Sequence, residues 1–384
     1  MRILVLGEGD ADTFDAWSGI AKSLVTHLRS LGHEVITGDV DLYGLTRWVT
    51  IALTWSPNRF RWWAKYHLSG LPFRLRSRKA ERLIQKHRDG VDIILQFGAT
   101  FEPRGHLDTP YVIYCDGNAR LAEHGDNQKQ AEVTALTRRQ SQAQIVREQR
   151  IYDEASRIFT FSDRLRHSFL EDFGQKADKV SVVYAGANLD PATVPVKTIR
   201  DQFHPPTILF VGRAFQRKGG DILLRAFANV RLEIPQAQLL IVGPEGLQVK
   251  EPGVTNLGFL RKDDVEDALR LQAAYRTADV FCLPTRYEPF GVVFIEAMLH
   301  GLACVGPMAW AVPEIVVDGQ TGLLCPPEDV DSLSAALTHL LKHPDLAHTM
   351  GRRGRERAQQ CFSWGAVAER ITDGLEAIVG NEVE

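Results

Sequence analysis

The sequence has few cysteines and no long apolar run. Its 384 residues include five cysteines, which are widely scattered and never form a CxxC pair. An odd set of isolated cysteines indicates neither a disulfide framework nor a zinc site, so we expect a reducing, cytoplasmic compartment. No stretch reaches about 18 consecutive apolar residues, so a membrane-spanning helix is not expected. The opening MRILVLGEGDAD turns acidic after one short apolar run, which is typical of a buried first strand and not of a signal peptide.

Net charge is nearly absent as well. The chain has 45 Lys and Arg residues against 48 Asp and Glu residues, a formal net charge of −3. On average, this balance gives no indication of a dedicated nucleic-acid binder. A hydrophobic share of 44% with 24% charged residues is typical of a soluble globular protein, and it excludes disordered, collagen-like and coiled-coil chains. The length predicts two or three domains.

Short apolar runs alternate with longer amphipathic segments, a pattern typical of parallel α/β proteins. The first series of predicted strands is 3–7, 34–37, 93–97, 111–114, 158–161 and 180–184. The second series is 207–212, 238–243, 254–257, 280–283, 303–306 and 322–325. Four prolines between the two series disfavour helix and strand alike, which places a linker at 191–206.

The predicted fold class is therefore α/β, with two Rossmann-like doubly wound parallel-sheet domains facing a cleft. The predicted domains are 1–190 and 207–361, on either side of the linker 191–206. A helical apolar pattern follows in 362–384. This last helix either packs on the second domain or crosses back to the first one.

The loop after the first predicted strand imitates a dinucleotide-binding turn. Gly7 and Gly9 match the opening of the GxGxxG pattern, but Asp12 stands at the third glycine. The helix begins only near Gly19, so a loop of about ten residues cannot place its N-terminus on a pyrophosphate as a short Rossmann turn does. We expect a loop over the cleft instead, in which Gly19 allows a ligand to approach the backbone closely.

A basic loop follows the first strand of the second series. Strand ends of doubly wound sheets line ligand crevices, and Arg213 and Lys218 lie in this loop. Arg as a planar fork and Lys as a point charge could together counter a diphosphate. The alternative is an ordinary solvated basic loop.

Two glutamates, Glu288 and Glu296, flank a predicted helix start near Gly291. The free N–H groups of such a start favour a phosphate. Carboxylates beside it suit sugar hydroxyls, with Glu288 contacting a hexose and Glu296 the ribose diol. Alternatively, Glu288 is a helix-start acid and Glu296 a surface residue. Since Glu296 lies inside the apolar run VVFIEAML, it needs a partner or a ligand.

In this order, the motifs resemble glycosyltransferase family 4, the retaining nucleotide-sugar enzymes with the two-Rossmann GT-B fold. The matching pieces are Gly212-Arg213 with Lys218-Gly219, 242–246, 256–260, the E-x7-E pair Glu288 and Glu296, 301–306, 313–316 and 318–324. The resemblance is strong from about residue 207 to 364 and looser before that. It implies a nucleotide-diphosphate sugar as donor, with UDP-sugar favoured, and transfer with retention of the anomeric configuration. It also implies that neither a cofactor nor a metal is needed.

The resemblance also implies roles for domains and residues. Domain 1–190 would bind the acceptor, and domain 207–361 would bind the nucleotide sugar. The implied catalytic residues are Glu288, Arg213, Lys218 and Asp116. The implied donor-binding residues are Gly19, Gly243, Leu260, Phe290, Gly291, Val292 and Glu296.

Two positions depart from the family pattern. Cys115 precedes Asp116 where the family often has a histidine, so Asp116 is a candidate for contacting the donor sugar. The segment Ala309-Trp310-Ala311-Val312 replaces the usual glycine pair before Pro313 and Glu314. The bulky Trp310 either narrows the donor pocket or belongs to the core.

The small net charge hides a strongly basic segment. Residues 47–88 contain four of the seven tryptophans and eleven Lys and Arg residues, with Glu81 as the one acid, so the segment carries +10 and the remainder −13. Tryptophans mixed with cations suit an anionic membrane interface. The same mixture could bind a nucleic-acid backbone or form a solvated helix pair.

Together these features predict transfer of a hexosyl unit to a glycan or lipid-linked acceptor at the membrane surface, in cell-surface polysaccharide or glycolipid synthesis. We expect a cytoplasmic protein, peripheral at the inner face of the membrane, with no nucleic-acid partner. The alternatives are a non-catalytic nucleotide-sugar-binding or membrane-docking protein and a GT-B sugar-nucleotide epimerase.

Overall fold

The computed structural model describes residues 1–13, 16–103, 109–123, 136–189, 191, 193–195 and 204–381. The chain forms two compact units, which we call the first domain (Met1–Gly186 with Trp364–Glu384) and the second domain (Ala187–Ser363). Within the predicted linker, 192 and 196–203 lie outside the described residues, as do 382–384 of the predicted last helix.

The first domain contains a six-stranded parallel sheet. Its strands are β1 Arg2–Gly7, β2 Glu34–Asp39, β3 Ile93–Phe97, β4 Tyr111–Cys115, β5 Arg157–Thr160 and β6 Val180–Val182, in the order β2-β1-β3-β4-β5-β6. Its described helices are α1 Ile20–Ser30, α2 Gly44–Thr54, α3 Arg59–Leu68, α4 Gly70–His87, α5 Ala119–Glu123, α6 Arg138–Glu154, α7 Asp163–Glu171 and the C-terminal α14 Trp364–Asn381. Buried apolar residues on β1, β3, β4 and β5 form the core.

The last helix belongs to the first domain. Helix α14 packs against α1, and its Thr372 Oγ1 lies 3.0 Å from His33 Nε2. Arg370 donates to the carbonyl oxygen of Val183 at 2.9 Å. Trp364 lies so close to Gly186 that a Cβ there would be 2.8 Å from the indole, so only glycine fits this contact.

The second domain contains another six-stranded parallel sheet. Its strands are β7 Thr207–Val211, β8 Gln238–Val242, β9 Val254–Asn256, β10 Val280–Cys282, β11 Ala303–Pro307 and β12 Gly322–Cys325, in the order β12-β11-β10-β7-β8-β9. Its helices are α8 Gly220–Glu233, α9 Val265–Thr277, α10 Val292–Leu299, α11 Val312–Ile315, α12 Val330–Lys342 and α13 Pro344–Cys361.

This strand order determines where a ligand crevice lies in the second domain. Counted within the domain, the order is 3-2-1-4-5-6, the Rossmann arrangement, whose direction reverses between β7 and β10. These two strands pair directly, with Ile208 opposite Val280 and Leu209 opposite Phe281. The loops that leave their carboxyl ends therefore lie side by side at the switch point.

The predicted fold class of two Rossmann-like parallel-sheet domains is confirmed. All twelve predicted strands are present, with ends that differ by three residues or fewer. The agreement has a physical reason, because parallel strands are covered by helices on both faces and therefore read as continuous apolar runs. Strand β4, for example, is buried at all five positions.

Candidate functional site

The predicted basic loop and the first glutamate of the E-x7-E pair meet at the switch point of the second domain. Lys218 follows β7 and Glu288 follows β10, and their side chains form a close ion pair. Both are largely removed from solvent, with 13% of the Lys218 side chain and 9% of the Glu288 side chain exposed. Burial lowers the pKa of Lys218, and the neighbouring Glu288 carboxylate opposes that change.

The position after Lys218 in the chain admits only glycine. Gly219 has a φ of +73°, and a Cβ at this position would lie 1.9 Å from the carbonyl oxygen of Pro284. Lys218 itself donates its backbone N–H to Ala214 at 2.8 Å, which closes the turn. The turn places Lys218 next to the loop that carries Glu288, because Pro284 belongs to that loop.

A helix start lies beside the ion pair. Helix α10 begins after Gly291, whose φ of +114° permits the sharp entry, and a Cβ on Gly291 would lie 3.3 Å from Cγ of Glu288. The N–H groups of the first turn, where Val292 lies, carry the positive end of the helix dipole. Lys218 and this helix start therefore form a positive site next to one carboxylate. The neighbouring Phe290 is buried and packs edge-on against Phe362, with ring centroids 6.2 Å apart.

The second glutamate of the pair has partners within the protein. Glu296 is buried, as its place in an apolar run predicts, and forms an ion pair with Lys262. Tyr275 donates its hydroxyl to Glu296 at 3.2 Å and stacks on His300 with ring centroids 4.4 Å apart. Lys262 is half-exposed, whereas Tyr275 is buried, so solvent reaches one of the two side-chain partners of Glu296.

The remaining predicted residues of the second domain lie in the loops after β7, β8 and β9. Gly243 has a φ of +121°, and a Cβ there would lie 2.6 Å from the backbone of Gly212, so the loops after β7 and β8 touch. Arg213 is exposed and lies with its guanidinium 4.9 Å from the ring centroid of Phe259. This geometry is a cation–π contact. Leu260, next in sequence, is buried.

Arg286, which the sequence did not single out, joins the loop that carries Lys218 to the loop that carries Glu288. Arg286 donates two hydrogen bonds to Asp221, at 2.6 and 2.9 Å, and two to Glu328, at 2.6 and 3.1 Å. Its backbone N–H also donates to the carbonyl oxygen of Arg217 at 2.9 Å. Arg286 is therefore a positioning residue for the loop that carries Glu288. The available signal was its place two residues before Glu288, in the loop after the predicted strand 280–283.

Trp310 lies against the same loop. Its φ of +60° is unusual for a residue other than glycine, and its indole N–H donates to the carbonyl oxygen of Arg286 at 2.8 Å. Its ring meets that of Tyr287 edge-on, with centroids 4.8 Å apart. Trp310 is half-buried, so it forms part of the wall beside Glu288 and is not enclosed in the core.

The two predicted residues of the first domain lie at the end of a strand and at the start of a helix. Asp116 directly follows β4 and is half-buried. Gly19, with a φ of +85°, is the buried N-cap of α1. The other nine predicted residues all belong to the second domain.

The first domain also contains a polar cluster that the sequence did not indicate. Arg76 is completely buried, and its Nη2 lies 2.7 Å from Glu8 and 3.6 Å from Asp41. His67 Nδ1 lies 3.3 Å from the same Glu8 carboxylate. Burial alone would raise the pKa of Glu8, but His67 and the Arg76 charge outweigh it and hold that pKa below its ordinary value.

Two features are absent from the described parts of the chain. No group of three or more His, Cys, Asp and Glu side chains there is arranged to hold a metal ion. None of the helices described is both long enough and apolar enough to cross a membrane.

The class of protein follows from the fold and from similarity to known proteins. The chain resembles sucrose-phosphate synthase from Thermosynechococcus elongatus with a TM-score of 0.71, at 22% identity over 99% of this chain and 100% of the other. It resembles Anabaena HepE, solved with UDP and glucose, with a TM-score of 0.65, at 18% identity over 98% and 100% of the two chains. The fold is therefore the GT-B fold of glycosyltransferases.

The family assignment rests on the second domain. Residues 205–343 match the model of the glycosyl transferases group 1 family. A glycogen synthase from Mycobacterium tuberculosis is 32% identical over 224 residues, which are 56% of this chain and 52% of the relative. The chain thus spans about half the length of this curated relative. The predicted resemblance to glycosyltransferase family 4 is confirmed, and the match to the glycosyl transferases group 1 model lies within the second domain.

Proposed function

We propose that this protein transfers a hexosyl unit from a nucleotide-diphosphate sugar, with Lys218 and Glu288 at the reacting end of the donor. The observation that carries the proposal is the buried Lys218–Glu288 pair at the switch point of a Rossmann sheet. A diphosphate suits the cation and the helix start, and a carboxylate suits sugar hydroxyls. The UDP and glucose bound to Anabaena HepE support a donor of this class, with UDP-sugar favoured.

The positive groups of the site supply the main catalytic effect in this proposal. When the bond between the sugar carbon and the diphosphate breaks, negative charge develops on the leaving oxygen. Lys218, Arg213 and the start of α10 would stabilise that charge, a role that other transferases give to a bound cation. Because Lys218 is buried, its charge acts through a medium of low polarity and has a larger effect than it would in water.

Retention of configuration is part of the proposal. The acceptor hydroxyl would attack the anomeric carbon from the face that the diphosphate leaves, and its proton would pass to the departing phosphate oxygen. Glu288 is engaged by Lys218, so we assign it to holding the hexose and not to a covalent intermediate. Glu296 would exchange its contact with Lys262 for the ribose diol.

The acceptor is proposed to be a glycan or lipid-linked molecule at the membrane surface. The first domain supports this choice because it contains the basic, tryptophan-rich segment 47–88. A role in cell-surface polysaccharide or glycolipid synthesis, at the inner face of the membrane, would follow from such an acceptor. Asp116 and Gly19 are proposed to contact the substrates from this domain.

A panel of nucleotide sugars tests the proposal. We expect the wild-type protein to release the nucleoside diphosphate from one of them, faster when acceptor is present, without added divalent metal and in the presence of EDTA. The anomeric configuration of the product, read by NMR, should be that of the donor. Arg213→Ala and Lys218→Ala should each abolish most transfer with an unchanged circular dichroism spectrum.

Three results would argue against the proposal. Wild-type-like turnover in both variants would remove the assigned charge-stabilising role. Donor binding without any turnover would favour a non-catalytic nucleotide-sugar-binding protein. Conversion of the donor to its epimer, with no transfer, would favour the epimerase.

A further inference from the structure

An apolar surface covers the outer side of two helices in the first domain. On α2, Leu45, Trp48, Val49 and Leu53 are all exposed, Leu45 by 78% and Trp48 by 69%. They recur at i, i+3, i+4 and i+8, so they form one stripe along the helix. Large contiguous apolar patches are rare on surfaces that face only water.

The buried side of α2 is polar, which is the reverse of an ordinary surface helix. Its two buried residues are Thr50 and Thr54. Both hydroxyls are satisfied within the helix, where Thr50 donates to the carbonyl oxygen of Thr46 and Thr54 to that of Thr50, each at 2.7 Å. In a surface helix the apolar stripe normally faces the core. The outward orientation of the stripe on α2 therefore points to an apolar partner outside the protein.

Helix α3 contacts α2 and adds exposed aromatic side chains. Phe60 and Trp63 are exposed on it, at 58% and 44%. The indole N–H of Trp62 donates to the carbonyl oxygen of Ile51 at 3.3 Å, and the α3 N-terminus is capped by Asn58. The two helices are thus joined, and we call their outer side the α2–α3 face, formed by Leu45, Trp48, Val49, Leu53, Phe60 and Trp63.

The charged residues within α2 and α3 are all basic. No acidic residue occurs from 44 to 80. Arg47 on α2 and Arg59 and Arg61 on α3 are all exposed beside the apolar side chains. The basic segment as a whole is less available than its sequence charge of +10 indicates, because Arg76 is buried against Glu8. The three exposed arginines are the cations that can meet a partner at this face.

We infer that the α2–α3 face docks on an anionic lipid bilayer. Tryptophan and phenylalanine rings would lie at the depth of the lipid head groups, the aliphatic side chains would enter the acyl boundary, and the three arginines would contact lipid phosphates. This inference deepens the proposed membrane-surface acceptor and rests on it for its purpose.

The observations favour a bilayer over other partners. Leucine and valine side chains add nothing to the recognition of a nucleic-acid backbone, which is dominated by phosphate contacts. A second copy of the chain would bring two sets of arginines together, and like charges across an interface repel. A bilayer with anionic lipids satisfies both the apolar stripe and the cations.

Vesicle flotation tests this inference at physiological salt. The vesicles are phosphatidylcholine alone or phosphatidylcholine with phosphatidylglycerol. We expect the wild-type protein to float with the anionic vesicles and not with the neutral ones. Because one surface cation contributes about fivefold in affinity, replacing Arg47, Arg59 and Arg61 with glutamine should weaken binding about a hundredfold.

Matched variants separate the face from general surface effects. Trp48→Ser with Leu53→Ser should weaken binding about tenfold or more. The control is Leu232→Ser with Val265→Ser, two exposed apolar residues of the second domain, and it should bind like wild type. Arg138, Arg139 and Arg276, exposed and replaced together with glutamine, are the control for charge.

Several outcomes would overturn the inference. It is wrong if the wild-type protein does not float, if the serine variant floats as well as wild type, or if the face proves to hold a dimer or an RNA. Donor turnover with a soluble acceptor is measured in parallel on every variant. Failure to float with intact turnover refutes only the docking surface, whereas flotation without turnover refutes only the proposed function.

Discussion

The Lys218–Glu288 pair allows stability and catalysis to be separated by one set of variants. Lys218→Met keeps the length and most of the volume of the side chain but removes its charge. Glu288 is then left in a site where 9% of its side chain is exposed, with no cation beside it. Removing one member of a buried pair costs about 3–5 kcal/mol. Because some exposure remains, we expect the lower end, about 3 kcal/mol.

The double variant Lys218→Met with Glu288→Gln removes both charges. Replacing a whole buried pair is often neutral, so most of the lost stability should return. Activity should not return, because the group that stabilises the leaving diphosphate is still absent. Loss of one such group costs about 100- to 1,000-fold in kcat. Urea unfolding followed by tryptophan fluorescence gives the stabilities, and nucleotide release gives kcat.

Two results would refute this reasoning. If Lys218→Met unfolds at the wild-type urea concentration, the pair is not a buried interaction of the folded domain. If the double variant regains both stability and turnover, the Lys218 charge has no part in the reaction, and the proposed role of the site is wrong.

Three further predictions concern single positions. Trp310→Gly should raise the kcat/KM of an N-acetylated hexosyl donor relative to its unsubstituted parent about tenfold by opening the wall beside Glu288, whereas Trp310→Phe should not; an equal ratio in both variants contradicts this. The pKa of Glu8 is lowered from 4.5, so its stabilisation is present above pH 4.5 and is lost as pH falls through the folded-state pKa. Glu8→Gln should therefore be less stable than wild type at neutral pH and lose less stability on acidification; parallel pH profiles of urea unfolding would rule this out. Gly219→Ala should unfold the second domain or cost several kcal/mol, since its Cβ would lie 1.9 Å from Pro284. Gly246→Ala, with a φ of +65° and open space around it, should cost only about 1 kcal/mol, and equal melting temperatures for the two variants would show the reasoning to be wrong.

The strands were predictable because a buried strand is visible as an apolar run in its own short stretch of sequence. A strand such as β4 is buried at every position, so its apolar run is continuous and needs no knowledge of the rest of the fold. The same local logic indicated that Glu296 needs a partner. Its identity was not predictable, because Lys262 lies 34 residues away and meets Glu296 only through the fold.

Long-range ion pairs explain the other omissions. Arg286 binds Asp221 and Glu328, which lie 65 and 42 residues away in the sequence, and no short sequence pattern predicts such a pair. In the sequence, Arg76 is not distinguishable from the other cations of segment 47–88, although it is completely buried against Glu8. Similarly, the apolar pattern of α14 showed that it packs on something, and its contact with α1 showed where. Sequence patterns predict which residues are buried, whereas the partners of those residues depend on the topology of the fold.

The outward stripe of α2 illustrates a conflict between local pattern and core formation. Its apolar residues recur at the spacing of a helix, and the helix runs from Gly44 to Thr54. The usual rule would turn Leu45 and Trp48 inward, but the structure turns Thr50 and Thr54 inward instead. Functional residues are to be expected where a strong apolar pattern faces solvent and not the core.

The most direct test of the central claim is calorimetric titration of nucleoside diphosphates into wild-type protein and Lys218→Met. We predict that one of UDP, ADP and GDP binds the wild-type protein at a single site, and that Lys218→Met binds the same nucleotide about a hundredfold more weakly, because one charge-assisted contact is lost. Equal affinities, or no binding of any of the three to the wild-type protein, would contradict the assignment of this site to a nucleotide sugar.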